Sequence, residues 1–330
     1  MTKKPTMNDI AMAAAVSQAT VSLVLNEVAN ARIAPETRAR VLEAATALGY
    51  ARRAGRSEGQ RLIGLMIDDV SYTPFAAPFL EGARAEAQAA GALVMVVVTE
   101  NDPGQEEAAL RQFAAMGAEG VILASLLTRE ITPPPGLSRL PAILLNGHDA
   151  GGVFASVVPG DVLGGFAATE ALIKAGHRRI AHIPGESWGE ASNDRFEGYR
   201  RALASHDIPY DPALVSEPAW TMSIARARMA GLLAARPTAV FCFSDRVAFG
   251  AYGAIEAAGL RVGRDISVVG FDNDDLAQHM APPLTTVILP HEDMARWAVA
   301  RLLERTGPLP ATRMKIDCTL VERASVGAPP

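Results

Sequence analysis

From Leu62 onward, short β-rich apolar runs alternate with amphipathic helical stretches, and this alternation constrains the fold more than any other feature of the chain. The runs are LIGLMID, LVMVVVT, GVILAS and AILLN, then, beyond Asp161, IAHIP, TAVFCFS and SVVGF. Patterns of helical period lie between them, among them FLEGARAEAQAA, EEAALRQFAAM, DVLGGFAATEALIKAG and DRVAFGAYGAIEAAG. Strands that are apolar on both faces and separated by helices belong to parallel sheets covered on both sides. Two such sets predict two lobes with a cleft between them. Ligands of such sheets sit beyond the carboxyl ends of the strands. The candidates there are Ser71, Tyr72 and Phe75; Asn146 and His148; Ser187 to Arg195; Ser244 and Asp245; Asp272 and Asn273.

The first fifty residues carry a different pattern. Thr6 and Asp9 fit a capping box that starts a helix at about Met7. A very short link, Ala15-Val16, precedes Ser17, a good N-cap for a second helix. A third begins near Ala34-Pro35-Glu36, with Pro at its first position, and stops at Gly49. Two short helices with a tight turn, braced by a third, describe a helix-turn-helix module. In AVSQATVSLVLN the apolar stripe is Val21, Val24 and Leu25, while Ser17, Gln18, Ser22 and Asn26 present short uncharged groups. Such a face suits the major groove. Gln18 can pair with adenine and Ser22 can donate or accept at a base edge. Ser17, Thr20 and Asn26 suit phosphate contacts that fix register. Leu23 stands beside this face, one turn after Ala19, where it would lie against thymine methyl groups; its alternative place is the small core.

Charge points the same way. Residues 1–61 hold nine Lys and Arg against five Asp and Glu, while the remainder holds 22 against 31. A basic head on an acidic body suits a polyanion-binding module.

TMNDIAMAAAVSQATVSLVLN followed by IAPETRARVLEAATALGY resembles the head of the lactose-repressor family of bacterial transcription regulators. LIGLMIDD, EGARAEAQAAG, GAEGVILAS, GHRRIAHIPG, DRFEGYRRAL, SVVGFDNDD and PPLTTV continue the likeness through nearly the whole chain. The resemblance implies a small all-α head and a two-lobed α/β body like that of the periplasmic sugar-binding proteins. It implies a homodimer on double-stranded operator DNA, controlled by a small polar effector such as a carbohydrate. The expected DNA-contacting residues are Thr6, Ser17, Gln18, Ala19, Thr20, Ser22, Leu23, Asn26, Arg32, Arg52, Arg53 and Arg56. For the effector, Arg195 in R-x-x-G matches the family's ligand-binding Arg, and Asp272 its hydroxyl-binding carboxylate. Trp220 matches its stacking aromatic, and Asn146 and Ser244 match pocket positions. Tyr72 and Phe75 complete the expected set.

The chain departs from the family at Ala15, where a turn Gly is usual, at Ala34 in place of a Ser cap, and at Leu23 in place of an Arg. ARRAGRSEGQRL, between Tyr50 and Ile63, is about one helical turn shorter than the usual hinge helix and lacks its minor-groove Leu. The expected organisation is a helix-turn-helix domain over 1–49, a shortened hinge over 50–61, and an effector-binding and dimerisation domain over 62–330. One lobe is expected near 62–160 with 290–315, the other near 161–289 with 316–330.

Other classes fare less well. GESWG (185–189) matches G-x-S-x-G, with Asp272 and His291 following in hydrolase order, but a nucleophile elbow needs a helix to start at its Ser, and here the helix is expected only at about Asp194. The six histidines show no H-x3-H pair and no Cys partner, so neither metal nor cofactor is expected. Cys242 and Cys318 lie in separate apolar runs and read as reduced core residues, with His177 and His182 at a sheet edge. The N-terminus lacks a signal peptide's apolar stretch, and no run nears a membrane span, so a cytoplasmic protein is expected. A binding protein without a regulatory role is the remaining rival.

Overall fold

The computed structural model describes residues 5–25, 33–48, 61–71 and 75–330, and the chain divides into two compact units, 1–60 and 61–330. Asn26, Arg32, the hinge over 50–60 with Arg52, Arg53 and Arg56, and Tyr72 lie outside the described residues.

The head holds α1 (Met7–Ala13), α2 (Gln18–Leu25) and α3 (Pro35–Ala47). Both halves of the capping box form at α1: the Thr6 N–H donates to Asp9 Oδ2 at 2.6 Å, and Thr6 Oγ1 accepts from the Asp9 N–H at 3.4 Å. Ser17 Oγ accepts from the Thr20 N–H at 3.1 Å and caps α2. The turn between them places Ala15 at φ +51°, and α1 and α2 meet at 106°, inside the range of helix-turn-helix pairs. Ile10, Ala11, Ala14, Val21, Val24, Leu25, Val41 and Ala45 fill the core. The third helix starts on Pro35 with Ala34 making no side-chain cap, as the missing Ser implies.

The body runs β1 (Arg61–Ile67), α4 (Ala76–Ala89), β2 (Ala92–Val98), α5 (Pro103–Met116), β3 (Gly120–Glu130), β4 (Ala142–His148) and β5 (Ala155–Pro159). It continues through α6 (Asp161–Lys174), β6 (Ile180–Ile183), α7 (Glu190–Ser205), α8 (Met222–Leu232), β7 (Ala239–Cys242), α9 (Asp245–Ala257) and β8 (Ser267–Val269). It ends with β9 (Thr286–Ile288), α10 (His291–Leu303), β10 (Arg313–Ile316) and β11 (Thr319–Val321).

The first lobe is a six-stranded parallel sheet in the order β10-β5-β4-β3-β1-β2. One apolar cluster joins the sheet to α4 and α10, and a second packs α5 on the other face. Gly82 lets α4 approach α10 closely, because a Cβ there would collide with the Glu292 backbone. The second lobe is a parallel sheet β6-β7-β8 with the antiparallel pair β9–β11 beside it, joined by a bridge from Val269 to Thr285. His182 is buried in the edge strand β6, where its Nδ1 lies 2.9 Å from the Phe241 carbonyl; His177 precedes that strand. Both cysteines are buried and unpaired.

The chain passes between the lobes three times, after β5, between β9 and α10, and between β10 and β11. The Gly160 N–H donates to the Ile316 carbonyl at 2.8 Å and ties two crossings together. No single helix among the described residues is long and apolar enough to cross a membrane.

Candidate functional site

The site begins with a close approach of two helices. A Cβ on Gly165 of α6 would collide with the Arg195 backbone, and one on Gly198 of α7 with the Val162 carbonyl. The missing side chains let α6 and α7 nearly touch, which sets Arg195 against Asp161 at the start of α6. Arg195 Nε donates to Asp161 Oδ1 at 2.7 Å, and Nη1 donates to the Phe243 carbonyl at 2.7 Å and to Asp272 Oδ1 at 3.3 Å. The guanidinium lies 3.7 Å from the Phe271 ring centre and 4.7 Å from that of Phe243. A buried cation thus carries two carboxylates and two aromatic faces, which together offset its desolvation. Nη2 meets no acceptor among the described residues.

Asp272 holds φ +113°, a region that L-residues rarely adopt. The strand β9 fixes it there, since the Asp272 N–H donates to the Val287 carbonyl at 2.8 Å. Burial, and then the charges of Asp245 and Asp161, push its carboxyl well above the usual carboxylate range against the pull of Arg195. Burial likewise raises Asp245 to about 7, against hydrogen bonds from Thr286 and the Asp274 N–H.

Arg195 and Asp272 face a cleft between the lobes with about 690 Å³ of empty space, including its open mouth. Six of the seven expected ligand residues line it: Phe75, Asn146, Arg195, Trp220, Ser244 and Asp272. Asn146 is buried at φ +57°, where Asn is tolerated. Its Nδ2 donates to the Ser125 carbonyl at 2.9 Å and its Oδ1 accepts from Thr128 at 2.7 Å, so it shapes the wall where β3 slips register against β4. Ser244 caps α9, its Oγ accepting from the Val247 N–H at 3.3 Å. Trp220 is half-buried, its ring centre 5.8 Å from Phe243 and 5.9 Å from Trp188.

Thr128, Phe243, Arg246, Asp274 and His291 also line the cleft and were not in the expected set. Asp274 and Arg246 lie close to strand ends, where a wider sequence window would have found them. His291 opens α10 and packs at a 35° tilt on Phe79, 4.3 Å between ring centres; burial and the charge of Arg195 hold its imidazole down to about 3. Asp161 carries no sequence signal of its role, because only the α6–α7 approach brings it to Arg195.

The two lobes also meet directly. His148 Nε2, at the end of β4, lies 2.7 Å from Glu190 Oε2 on the first residue of α7. Arg313 on β10 places Nη1 3.8 Å from the other oxygen of the same carboxylate.

In GESWG, α7 starts at Glu190 behind the cap Gly189, four residues before the expected start but still not at Ser187. The strand–Ser–helix turn of a nucleophile elbow is therefore absent there. His291 and Asp272 are committed to an aromatic contact and to Arg195 respectively.

In the head, α2 divides as its sequence suggests. Val21, Val24 and Leu25 are buried, whereas Ser17, Gln18 and Ala19 are exposed and Thr20 and Ser22 partly so. Leu23 is 38% exposed and belongs to the outward face, not to the core. Thr6 is exposed at the start of α1.

Residues 6–53 match the family model for bacterial regulatory proteins of the lacI family, and residues 169–326 match that for a periplasmic binding protein-like domain. The chain is 32% identical over 310 residues to the HTH-type transcriptional repressor PurR of Aliivibrio fischeri (strain MJ11), covering 91% of each chain. It is 31% identical over 306 residues to the ribose operon repressor of Haemophilus influenzae, again with 91% of each covered. Among solved structures, the transcriptional regulator CelR–cellobiose complex matches 97% of this chain and 99% of its own at 30% identity and a TM-score of 0.65. The lac repressor dimer bound to operator and the anti-inducer ONPF matches 99% and 100% at 26% identity and a TM-score of 0.70.

Proposed function

The chain belongs to the lacI family of bacterial regulatory proteins, is a ligand-responsive DNA-binding transcriptional repressor, and we propose that its effector is a small carbohydrate. The observation that carries this reading is the convergence of Arg195, Asp272 and Trp220 on one cleft. A carboxylate accepts from adjacent hydroxyls, a guanidinium donates in a fork, and an indole covers an apolar C–H face. The CelR–cellobiose complex has a carbohydrate in a chain of the same fold, which favours the same class here. The cleft holds its ligand and does no chemistry on it.

In this reading residues 1–49 form the DNA-binding domain, 50–61 a shortened hinge, and 62–330 the sensor. Gln18, Ala19, Ser22 and Leu23 face base edges, while Thr6, Ser17, Thr20 and Asn26 hold phosphates. Arg32, Arg52, Arg53 and Arg56 add positive charge to the backbone contacts. A homodimer in the cytoplasm presents two heads to a two-fold operator, as two-fold binding sites require. Effector binding closes the lobes and changes how the heads engage DNA.

The test is fluorescence anisotropy on an operator recovered by selection from random DNA, with and without a saccharide panel. A saccharide that shifts operator affinity in the wild type should lose its effect in Asp272→Asn and Arg195→Lys, with operator binding kept and melting curves intact. An equal shift in all three proteins, or no shift with any saccharide, overturns the reading.

A further inference from the structure

Trp188 is 68% exposed, a large apolar side chain held in water beside Trp220 of the ligand cleft. It does not stand there loosely. Its loop is pinned by Asn193 Nδ2 donating to the Ser187 carbonyl at 3.0 Å and by the Gly189 N–H donating to the Glu186 carbonyl at 3.0 Å. At the other end of the loop, Gly185 lies so close to Phe243 that a Cβ would meet the ring at 2.8 Å. The same loop leads into α7, whose Ala191 and Arg195 line the cleft.

The exposed ring also continues a series. Phe243 and Phe271 flank the Arg195 guanidinium; Trp220 lies 5.8 Å from Phe243 at 35°, and Trp188 lies 5.9 Å from Trp220 at 40°. A series of tilted aromatic rings therefore leads from Arg195 through Phe243 and Trp220, which line the cleft, to Trp188 beyond that lining. The charged end, Arg195 with Asp272, supplies hydroxyl partners for one sugar ring, and Trp220 supplies its apolar cover. A single ring leaves Trp188 unused.

We propose that Trp188 forms a second carbohydrate subsite, so that the effector is a saccharide of at least two linked pyranose rings. The inner ring bonds Arg195 and Asp272 beneath Trp220. The outer ring lays a C–H face on Trp188 and covers it from water. This rests on the carbohydrate reading of the cleft and adds to it the size of the ligand. Stacking on an exposed indole is worth a modest factor in affinity, so Trp188 selects by length and leaves recognition of the inner ring to the buried charges.

The experiment is calorimetry on the full chain with D-glucose, D-galactose, cellobiose, maltose, lactose and adenine as probes, in the wild type, Trp188→Ala and Trp188→Phe. Tryptophan emission is recorded in parallel. One of the disaccharides should bind at least about tenfold more tightly than its component monosaccharides. Trp188→Ala should weaken that disaccharide by about 3- to 10-fold and leave monosaccharide binding unchanged, and Trp188→Phe should recover most of the loss. Disaccharide binding should move wild-type emission to shorter wavelength, and that movement should shrink in Trp188→Phe to what a monosaccharide produces through Trp220. Disaccharide affinity equal to that of the monosaccharides, or unchanged in Trp188→Ala, overturns the second subsite while leaving a carbohydrate effector in place. Binding of adenine alone, or of no saccharide, overturns the carbohydrate reading and the subsite together.

Discussion

His148 and Glu190 join the two lobes across the cleft, with Nε2 and Oε2 2.7 Å apart. Away from the loop crossings, this contact and the Arg313 pair beside it are the side-chain hydrogen bond and ion pairs between the lobes among the described residues, with longer-range charge interactions at Lys315–Asp194 and Arg195–His291. A bond of this kind favours whichever lobe arrangement lets it form. Glu190→Ala and His148→Ala should each favour the open form and weaken effector binding by about 3- to 10-fold, the equivalent of one part-buried hydrogen bond. The double variant should lose no more than Glu190→Ala alone, which already removes both the His148 contact and the Arg313 pair. Calorimetry with the effector checks this; additive losses would show two independent contributions.

Ala15 occupies the turn between α1 and α2 at φ +51°. A Cβ in this region costs about 1–2 kcal/mol, whereas Gly adds about 0.4–1 kcal/mol of unfolded-state entropy. Ala15→Gly should stabilise the head by about 0.5–1 kcal/mol. Urea melts of the head fragment measure it, and a destabilised fragment contradicts the strain.

Leu23 is exposed on the face that Gln18 and Ala19 share. It cannot pair with guanine but can lie on thymine methyl groups, so the half-site should be rich in A·T where it is faced by Ala19 and Leu23. Leu23→Arg should move the preference at that position to guanine without unfolding the head. Site selection from random DNA with both proteins reads the change, and an unchanged consensus places the side chain away from the groove.

His291 is buried against Phe79 and held down to about 3, below the 6.5 of a free imidazole. Its folded-state value is depressed, so between roughly 6.5 and 3 the unfolded chain takes up a proton that the native state refuses. The stability this neutral ring contributes is present above 6.5 and is lost as pH falls through that window. Asp245, raised to about 7, acts in the opposite sense, losing stability as pH rises from about 4 to 7. Subtraction isolates the histidine: between pH 6.5 and 4, wild type should lose more stability than His291→Phe, by a slope approaching one proton. Parallel denaturation curves for the two proteins would place the ring in water.

Residues decided by local pattern were legible in the sequence. Val21, Val24 and Leu25 declare their stripe by spacing, Thr6 and Asp9 their cap, and the long parallel strands their apolar runs. Most of the elements missed are short or exposed: β9 and β11 have three residues each, and β10 is an exposed RMKI run that becomes a strand only because β5 lies alongside it; β5 itself, buried throughout, was also missed. The start of α7 was placed too late because EASN reads as loop, although Glu190 suits the positive end of a helix. Asp161 and Glu190 show the deeper limit. Each acquires its partner from an element remote in the chain, through the Gly165–Gly198 approach or the meeting of lobes, and no local window contains that information.

The three crossings between lobes have a consequence for the order of synthesis. The first lobe lacks α10 and β10, and the second lacks β11, until residues 291–321 have been made. The head needs nothing beyond α3. A ribosome therefore releases a finished DNA-reading module long before either half of the sensor can close its core. Any product that stops short of β10 keeps every residue of the head's apolar cluster but leaves β5 and β9 without the strands that pair with them at the sheet edges.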